Sequence, residues 1–198
     1  MQSHFWTMQL QIASRFSDKN RVFLVGDSAY AFVAAGGFGL NTGMGDATNL
    51  GFKLAAVIKG NTSPDLLKSY EAERRPVCLN NLNLAAQNAK ALMTLRTKYP
   101  PQKNPERFAK GNIELAQQYV HVLSATLGYG YAPTSKKQQT VGVDREPYQP
   151  KLAVGYFLPH VWVEPHIAIY DQLSLTLRTG LVNKSYFLTP ALRSDSPV

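Results

Sequence analysis

Apolar and polar positions near the start of the chain predict a buried strand followed by a glycine-rich loop. Residues 21–25 form a short apolar, β-branched run that ends at Gly26 and Asp27, which is typical of a buried strand that stops at a turn. Five glycines then fall within residues 34–45. Because so many glycines are unfavourable inside a helix, we expect the backbone there to bend sharply or to approach another group closely.

A helix is predicted directly after this loop. Asn41 or Thr42 can cap its first turn, and Gly60 is a natural stop after Lys59. Its apolar face is expected to contain Leu50, Leu54, Val57 and Ile58. We expect four leucines to lie in the core of the domain, namely Leu24, Leu50, Leu54 and Leu66.

Further helices are predicted on both sides of this unit. The apolar spacing within residues 1–17 matches one face of a helix, and Ser63 begins another helix that Pro76 should kink or break. Pro105 precedes a third helix, whose apolar positions recur every three or four residues at Ile113, Ala116, Val120, Leu123 and Leu127. Such a narrow stripe should pack on another helix or on a second copy of the chain, so we expect a homodimer.

The last third of the chain has weaker periodicity. Residues 128–155 are rich in Tyr, Pro, Gly and Lys and predict a long irregular segment, which either closes over a cavity or runs along the surface. Residues 161–163 and 167–177 alternate as short strands do. We therefore expect a mainly helical α/β fold with a few short strands, divided into residues 1–127 and a loop-rich extension, residues 128–198, packed on the first part.

Composition narrows the classes of function. A chain of 198 residues suits one domain with a proper core. The formal net charge is +8, but without a Lys/Arg run, an RNA-binding aromatic signature or zinc-ligand spacing we expect no nucleic-acid partner. No apolar run is long enough for a membrane span, so no membrane partner is expected. The single cysteine, Cys78, and the lack of a signal-peptide pattern indicate a cytoplasmic location.

The strand end and the glycine-rich loop together predict a site for a polar ligand. Asp27 follows the strand, and the loop leads into a helix whose free N–H groups and positive end attract polar or anionic groups. The loop is not a dinucleotide fingerprint, because Gly36-Gly37-Phe38-Gly39 does not match GxGxxG.

Several motifs closely resemble the second FAD-contacting segment of the FAD-dependent aromatic hydroxylases, the para-hydroxybenzoate hydroxylase type of class A flavin monooxygenase. In chain order they are Gly26-Asp27, Gly36-Gly37-Phe38-Gly39-Leu40-Asn41-Thr42-Gly43, Asp46-Ala47-Thr48-Asn49-Leu50 with Lys53-Leu54, and Ser69-Tyr70-Glu71-Ala72-Glu73-Arg74-Arg75-Pro76. The resemblance implies a truncated flavin-monooxygenase-like domain. If FAD binds, it implies that Asp27 holds the ribityl or phosphate region and that Gly36, Gly37, Gly39 and Asn41 lie against the flavin ring.

The chain departs from the family pattern in three places. Tyr30 stands where the family usually has His, and Val33 and Ala34 stand where it usually has two prolines. The family's first strand, GxGxxG and helix, which bind the ADP half of FAD, have no counterpart in these residues. The sequence of a segment that no longer binds flavin is free to change. Its flavin cavity would then become an open, aromatic-lined concavity.

Two hypotheses of different class follow. The favoured one is a cofactor-free cyclase, isomerase or pericyclase of the Diels-Alderase kind, which acts on an apolar secondary metabolite through orientation and hydrogen bonding in its biosynthesis. The alternative is the C-terminal part of an FAD-dependent hydroxylase that a separate N-terminal half completes. A non-catalytic remnant or binding protein is a third interpretation. The favoured hypothesis expects no cofactor, whereas the alternative requires FAD.

The favoured hypothesis places the active pocket where the flavin ring would have been. Tyr30 is its first catalytic candidate, because a phenol can donate a hydrogen bond to a substrate carbonyl or carboxylate, and Asp27 is the second. The substrate pocket is expected to contain Phe32, Phe38, Asn41, Trp6 and His160. No metal is expected, because the spacing of His160 and His166 matches no recognised ligand pattern.

Overall fold

Helices dominate the part of the chain that the structure describes. The computed structural model describes residues 9–120, 123–131, 148–150, 155–159 and 162–168. The helices are α1 (Phe38–Ile58), α2 (Ser69–Lys98), α3 (Pro105–Val120) and α4 (Leu123–Leu127), with 3-10 turns at Gly26–Ser28 and Pro64–Lys68. The mainly helical fold with a few short strands is therefore as the sequence predicted.

The strands are short and pair in three antiparallel ladders within the described residues. They are β1 (Gln11–Ile12), β2 (Ser17–Asp18), β3 (Val22–Phe23), β4 (Tyr30–Ala31), β5 (Trp162–Glu164) and β6 (Ile167–Ala168). Strand β1 pairs with β4, β2 with β3, and β5 with β6. The predicted strand at residues 21–25 is thus shorter than expected, and the part of the predicted strand 167–177 beyond β6 lies outside the described residues.

The predicted helix over residues 1–17 is wrong where the structure describes it. Strand β1 begins at Gln11, and Ile12 lies opposite Tyr30 of β4. The Ala13 N–H also donates to the Ala29 carbonyl at 2.8 Å. Residues distant in sequence therefore satisfy the backbone of this segment, and that pairing overrides the helical spacing of its apolar side chains.

Helix α1 begins at Phe38, earlier than the predicted start at Asn41 or Thr42. Gly37 makes the turn into the helix with a φ of 69°. Later glycines lie inside the helix because other groups approach them closely: a Cβ on Gly43 would lie 3.6 Å from the Gly26 Cα, and one on Gly45 would lie 2.8 Å from an Arg74 nitrogen. The predicted close approach is present both inside the helix and in the loop before it, where a Cβ on Gly36 would lie 2.8 Å from the Asn88 amide nitrogen.

Helix α2 continues through Pro76, where the sequence predicted a kink or a break. Buried side chains flank the proline on both sides, at Arg74 before it and at Val77 and Cys78 after it. Their packing compensates for the hydrogen bond that proline cannot donate. The predicted start of this helical region is confirmed, since the Ser63 side chain accepts a hydrogen bond from the Asp65 N–H at 3.3 Å.

Two apolar clusters form the core of the described residues. The first contains Phe16, Ala29, Tyr30, Leu50, Tyr70 and Cys78, and the second contains Phe38, Leu84, Ala85 and Ala125. Of the predicted core leucines, Leu50 is buried, whereas Leu24 and Leu54 are half-buried against the first cluster. Leu66 is only half-buried, and the buried neighbour is Leu67.

Helix α3 packs against α2 at a point where Gly111 lies directly over Leu95; a Cβ there would be 2.5 Å from the leucine. Four residues of the predicted stripe, Ile113, Ala116, Leu123 and Leu127, nevertheless remain exposed. The homodimer and the division at residue 127 stay predictions. No helix of the described residues has the length and apolar character needed to cross a membrane.

Candidate functional site

Asp46 is the centre of a buried polar cluster between α1, α2 and the turn that follows β3. Its carboxylate is fully buried. One oxygen accepts a hydrogen bond from Arg74 Nε at 2.7 Å, and the other accepts from the Tyr30 hydroxyl at 2.6 Å and from the Gly26 N–H at 3.3 Å. A single carboxylate therefore holds the turn before Asp27, strand β4 and helix α2 together.

The Arg74 guanidinium extends this cluster to the C-terminal part of the described chain. It donates to the hydroxyls of Tyr129 at 3.0 Å and Tyr131 at 2.9 Å, and to the Thr42 carbonyl at 3.1 Å. Its carbon also lies 5.4 Å from the centre of the Tyr129 ring, within the range of a cation–π contact. Because the guanidinium is almost fully buried, these partners are what make its charge tolerable.

Two neighbours of Asp46 are kept protonated. Burial, reinforced by the hydrogen bond to Asp46, raises the pKa of Tyr30 far above its ordinary value. Burial and the Asp46 charge also raise the pKa of the Cys78 thiol, whose sulfur lies 3.7 Å from the carboxylate. Near neutral pH, Tyr30 is therefore a neutral donor whose hydrogen bond is already given to Asp46.

A second ion pair, between buried Lys53 and half-buried Glu73, joins α1 to α2. Lys53 Nζ lies 2.6 Å from Glu73 Oε2, which also accepts a hydrogen bond from the Asn49 amide at 2.8 Å. Burial lowers the pKa of Lys53, and Glu73 acts in the opposite direction. With Asp46, these residues give α1 a buried face that is largely polar.

The N-terminus of α1 is open. Gly36 and Gly37 both have positive φ, at 109° and 69°, and no side chain caps the helix at Gly37. A Cβ on Gly37 would meet nothing within 4 Å. The turn that carries Asp27 packs on the same helix, because Gly26 contacts Gly43. An exposed carboxylate is therefore held on the second turn of a helix whose N-terminus no side chain caps.

An apolar groove of about 720 Å³ lies elsewhere, along the C-terminal half of α2. It is lined by Leu10, Val33, Ala86, Ala89, Lys90, Met93, Thr94, Thr97 and Lys98. The hydroxyls of Thr94 and Thr97 donate to carbonyls of their own helix at 2.9 and 3.0 Å. The groove therefore presents a mainly apolar floor with lysines beside it. Within the described part of the chain, no three His, Cys, Asp or Glu side chains could hold a metal ion.

Comparison with known proteins shows what the chain is similar to. Residues 1–85 match the family model described as an FAD binding domain. This chain is a partial homologue of the FAD-dependent monooxygenases. The segment that this model matches contains both the Gly26 turn and Asp46, but it ends before the tyrosines that contact Arg74.

The relatives are longer enzymes. The FAD-dependent monooxygenase opdD of Penicillium oxalicum is 28% identical over 192 residues, which cover 89% of this chain and 37% of that protein. The tetracenomycin A2 monooxygenase-dioxygenase of Streptomyces glaucescens is 33% identical over 159 residues, or 80% of this chain and 25% of that protein. RebC with bound 7-carboxy-K252c has a TM-score of 0.68 at 31% identity, over 84% of this chain and 34% of that one. The chain thus spans well under half the length of each relative.

The predicted catalytic pair of this monooxygenase homologue is not brought together at one cavity. Tyr30 is 3% exposed and donates to Asp46, whereas Asp27 is exposed in the 3-10 turn. Asn41 is also exposed, and its amide donates to the Gly37 carbonyl at 2.8 Å. Of these, Asp27 and Asn41 are the two predicted residues that face outward near the start of α1. The catalytic roles of Tyr30 and Asp27 stay predictions.

The predicted pocket residues divide between the core and undescribed parts of the chain. Phe38 is buried in the second core cluster, and Phe32 is half-buried with its ring edge-on to Tyr30 at 4.7 Å. Trp6 and His160 lie outside the described residues. The flavin-monooxygenase homologue therefore uses two of its predicted pocket aromatics in packing, and their contact with a substrate stays a prediction.

Residue-by-residue reasoning missed Asp46 and Arg74 as the polar centre, although both belong to the motifs that carried the family resemblance. The available signal was a charge at a position of α1 that shares a face with Leu50. Tyr129 and Tyr131 fell in a stretch predicted to be irregular, and only their contact with Arg74 reveals their place in the cluster.

Proposed function

We propose that this chain forms one wall of the FAD site of an FAD-dependent monooxygenase, and that the rest of the family fold completes the site. The observation that carries the proposal is the exposed carboxylate of Asp27, in a turn that the hydrogen bond from Gly26 to Asp46 fixes against α1, the helix whose N-terminus no side chain caps. The family match over residues 1–85 supports it.

The residues present suit the ribityl and ring half of FAD. Asp27 can accept hydrogen bonds from ribityl hydroxyls, and the first turn of α1 offers N–H groups to an electron-rich ring edge. The space around Gly37 allows a ligand to approach that turn. A phosphate cradle of the GxGxxG type is lacking in the 198 residues, so another segment must hold the ADP half. When bound, FAD supplies the redox chemistry of hydroxylation, while this chain binds and orients it.

The test places this chain in a complete fold. A chimera carries it in place of the matching segment of the Penicillium oxalicum relative, and the bound flavin is measured by absorbance and by quenching of flavin fluorescence. We expect stoichiometric flavin in the chimera and weak or no binding by the chain on its own, since the chain lacks the fingerprint. A chimera that folds but binds no flavin would refute the proposal.

A matched pair of variants tests the assigned carboxylate. Asp27→Asn in the chimera should weaken FAD binding by about tenfold or more, the loss expected when a charge-assisted hydrogen bond worth about 1.5–3 kcal/mol is removed. Asp65→Asn changes an exposed acid in the other 3-10 turn and should leave FAD binding unchanged. Equal FAD binding by the two variants would show that Asp27 does not contribute to the FAD site.

The groove along α2 favours a second candidate, a cofactor-free cyclase, isomerase or pericyclase. Its volume of about 720 Å³ lies within the range of about 300–1,000 Å³ that is typical of small-molecule sites. An apolar fluorescent probe, anilinonaphthalene sulfonate, should bind the flavin-free chain. It should bind more weakly to the Ala89→Trp variant, in which the indole fills the groove. Conversion of an apolar substrate by flavin-free protein, lost in that variant, would favour this candidate over the first. Turnover that depends on added FAD would exclude it.

A further inference from the structure

The groove along the C-terminal half of α2, which we call the α2 groove, has a fixed wall opposite the helix. Val33 forms part of this wall. The Ala35 N–H donates to the Val33 carbonyl at 2.7 Å, and the amide of buried Asn88 donates to the Ala35 carbonyl at 3.3 Å, so the wall is tied to α2 itself. Ala86 and Ala89 line the helix side. Because their side chains are small, the space between the helix and the wall stays open.

The rim of the α2 groove is basic and has no counter-charge. Lys90 and Lys98 line it, and none of the lining residues that the structure describes is acidic. The chain has no Asp or Glu between Glu73 and Glu106, so neither lysine has an acid three or four positions away to pair with along the helix. Among the described residues, neither lysine belongs to an ion pair. Lys98 lies in the last turn, where a cation offsets the helix dipole, but Lys90 lies more than two turns earlier, where that reason does not apply.

The two lysines are also the side-chain hydrogen-bond donors that this rim offers. The Thr94 hydroxyl, which lies between them along α2, donates to the Lys90 carbonyl at 2.9 Å, and the Thr97 hydroxyl donates to the Met93 carbonyl at 3.0 Å. A hydroxyl has one proton to donate, so neither threonine can donate to a ligand at the same time. Lys90 and Lys98 are about 12 Å apart along the helix axis, and both have long flexible side chains. Their two ammonium groups can therefore approach one anionic group that lies over Thr94.

We propose that the α2 groove binds an apolar organic acid, whose hydrocarbon part lies on the alanines and Met93 and whose carboxylate pairs with Lys90 and Lys98. The cavity of about 720 Å³ has the size of a small-molecule site. Met93 is 68% exposed, and its flexible thioether side chain adapts to irregular apolar shapes. The inference holds with or without the FAD site, because the described residues that line the groove include none from α1 or from the 3-10 turn that carries Asp27.

Charge favours an acid over an uncharged apolar ligand. An uncharged ligand would remove part of the water around the two ammonium groups without supplying a partner, which is unfavourable. An acid supplies that partner, and the net charge of +8 raises the local concentration of anions around the chain. Since both lysines are exposed, each ion pair should increase the affinity by about threefold, as exposed pairs commonly do.

Two fluorescent probes of almost the same shape test this assignment. Anilinonaphthalene sulfonate carries a sulfonate that stands in for the carboxylate, and N-phenyl-1-naphthylamine has the same rings without it. Both are titrated into the flavin-free chain and into Lys90→Gln, Lys98→Gln and the double variant. Lys59→Gln is the matched control, because it removes one charge from an exposed position just after α1.

A second set of measurements locates the probe and extends the result to acids. Ala89→Trp fills the groove from a half-buried position and Thr97→Trp fills it from an exposed one, with circular dichroism to check that each variant is folded. Dodecanoate and dodecanol, which differ in charge, are compared as competitors for the bound sulfonate probe.

We expect the sulfonate probe to bind about tenfold more tightly than the neutral probe. Each single lysine variant should weaken binding of the sulfonate probe by about threefold and the double variant by about tenfold, while binding of the neutral probe stays unchanged. Lys59→Gln should change neither affinity. Dodecanoate should displace the sulfonate probe at a concentration about tenfold lower than dodecanol requires. Added salt should weaken binding of the sulfonate probe and not of the neutral one.

Four outcomes would overturn the inference. Equal affinities for the two probes would show that the groove selects apolar surface without regard to charge. Equal weakening by Lys59→Gln would assign the effect to the net charge of the chain and not to the rim. Binding of the sulfonate probe that neither tryptophan variant reduces would place the probe outside the groove. An affinity that falls as the protein concentration rises would show that a second copy of the chain covers the groove.

Discussion

Two glycine-to-alanine changes in the same helix should alter stability in opposite directions. Gly51 and Gly45 both lie inside α1, and neither has a positive φ. A Cβ on Gly51 would meet nothing within 4 Å. Gly51→Ala should therefore raise the free energy of unfolding by about 0.5–1 kcal/mol, because alanine loses less backbone entropy on entering a helix.

The Cβ of Gly45→Ala would lie 2.8 Å from Arg74 Nη2, whereas ordinary contacts begin at 3.4 Å. The guanidinium would have to retreat by about 0.6 Å, the difference between those distances. A retreat directed away from Thr42 would stretch the hydrogen bond to its carbonyl from 3.1 Å to about 3.7 Å. Losing a hydrogen bond from a charged, buried donor costs about 1.5–3 kcal/mol. After the gain in helix propensity, a net loss of about 0.5–2.5 kcal/mol remains.

Urea unfolding monitored by circular dichroism measures both variants against the parent chain at neutral pH. The midpoint should rise for Gly51→Ala and fall for Gly45→Ala, with unchanged slopes. Equal stabilisation by the two substitutions would mean that the Arg74 guanidinium is free to move. The buried cluster around Asp46 would then not hold the geometry described above.

Three further outcomes are expected. Tyr30→Phe removes the 2.6 Å hydrogen bond to buried Asp46 and should lower the free energy of unfolding by about 1–3 kcal/mol, measured by urea unfolding; an unchanged midpoint would contradict this. Alkaline pH should also destabilise the fold. Burial raises the pKa of four neutral groups, Tyr30, Tyr70, Cys78 and Tyr131. Since their folded pKa values exceed the ordinary 9.0 of cysteine and 10.0 of tyrosine, their stabilisation is complete below about pH 9 and is lost as the pH rises. The lowered pKa of Lys53 makes the free energy of unfolding increase with pH, but this is one group against four that act in the other direction. A free energy of unfolding that increases from pH 8 to about pH 10.5 would therefore refute this prediction. Finally, light scattering on the chain should show a homodimer, and a monomer of 21.9 kDa at all micromolar concentrations would exclude it.

Local signals in the sequence determined several elements correctly. Ser63 caps a helical region because its side chain can accept a hydrogen bond from a residue two positions later. Gly60 terminates α1 with a φ of 70°, which glycine adopts without strain. The motifs from Gly26 to Pro76 also carried the resemblance to flavin monooxygenases, which the comparisons confirm. Each of these signals is a short stretch of neighbouring residues along the chain.

The side of each helix that faces the core was not available from such signals. Apolar spacing placed Ile58 on the buried face of α1, yet it is 82% exposed, while Asp46 and Lys53 are buried. A buried charge is tolerated only with a partner, and the partners here are distant: Arg74 lies 28 residues after Asp46, and Tyr129 lies 55 residues after Arg74.

The sequence by itself therefore determined where α1 ends, how the next helical region begins and which family supplies the fold. Only the tertiary structure decided that α1 begins at Phe38, that α2 continues through Pro76 and that α1 exposes Ile58. The physical reason is that caps and turns are satisfied by neighbours along the chain. The burial of Asp46 and Arg74 depends instead on hydrogen bonds between segments that meet only when the chain folds.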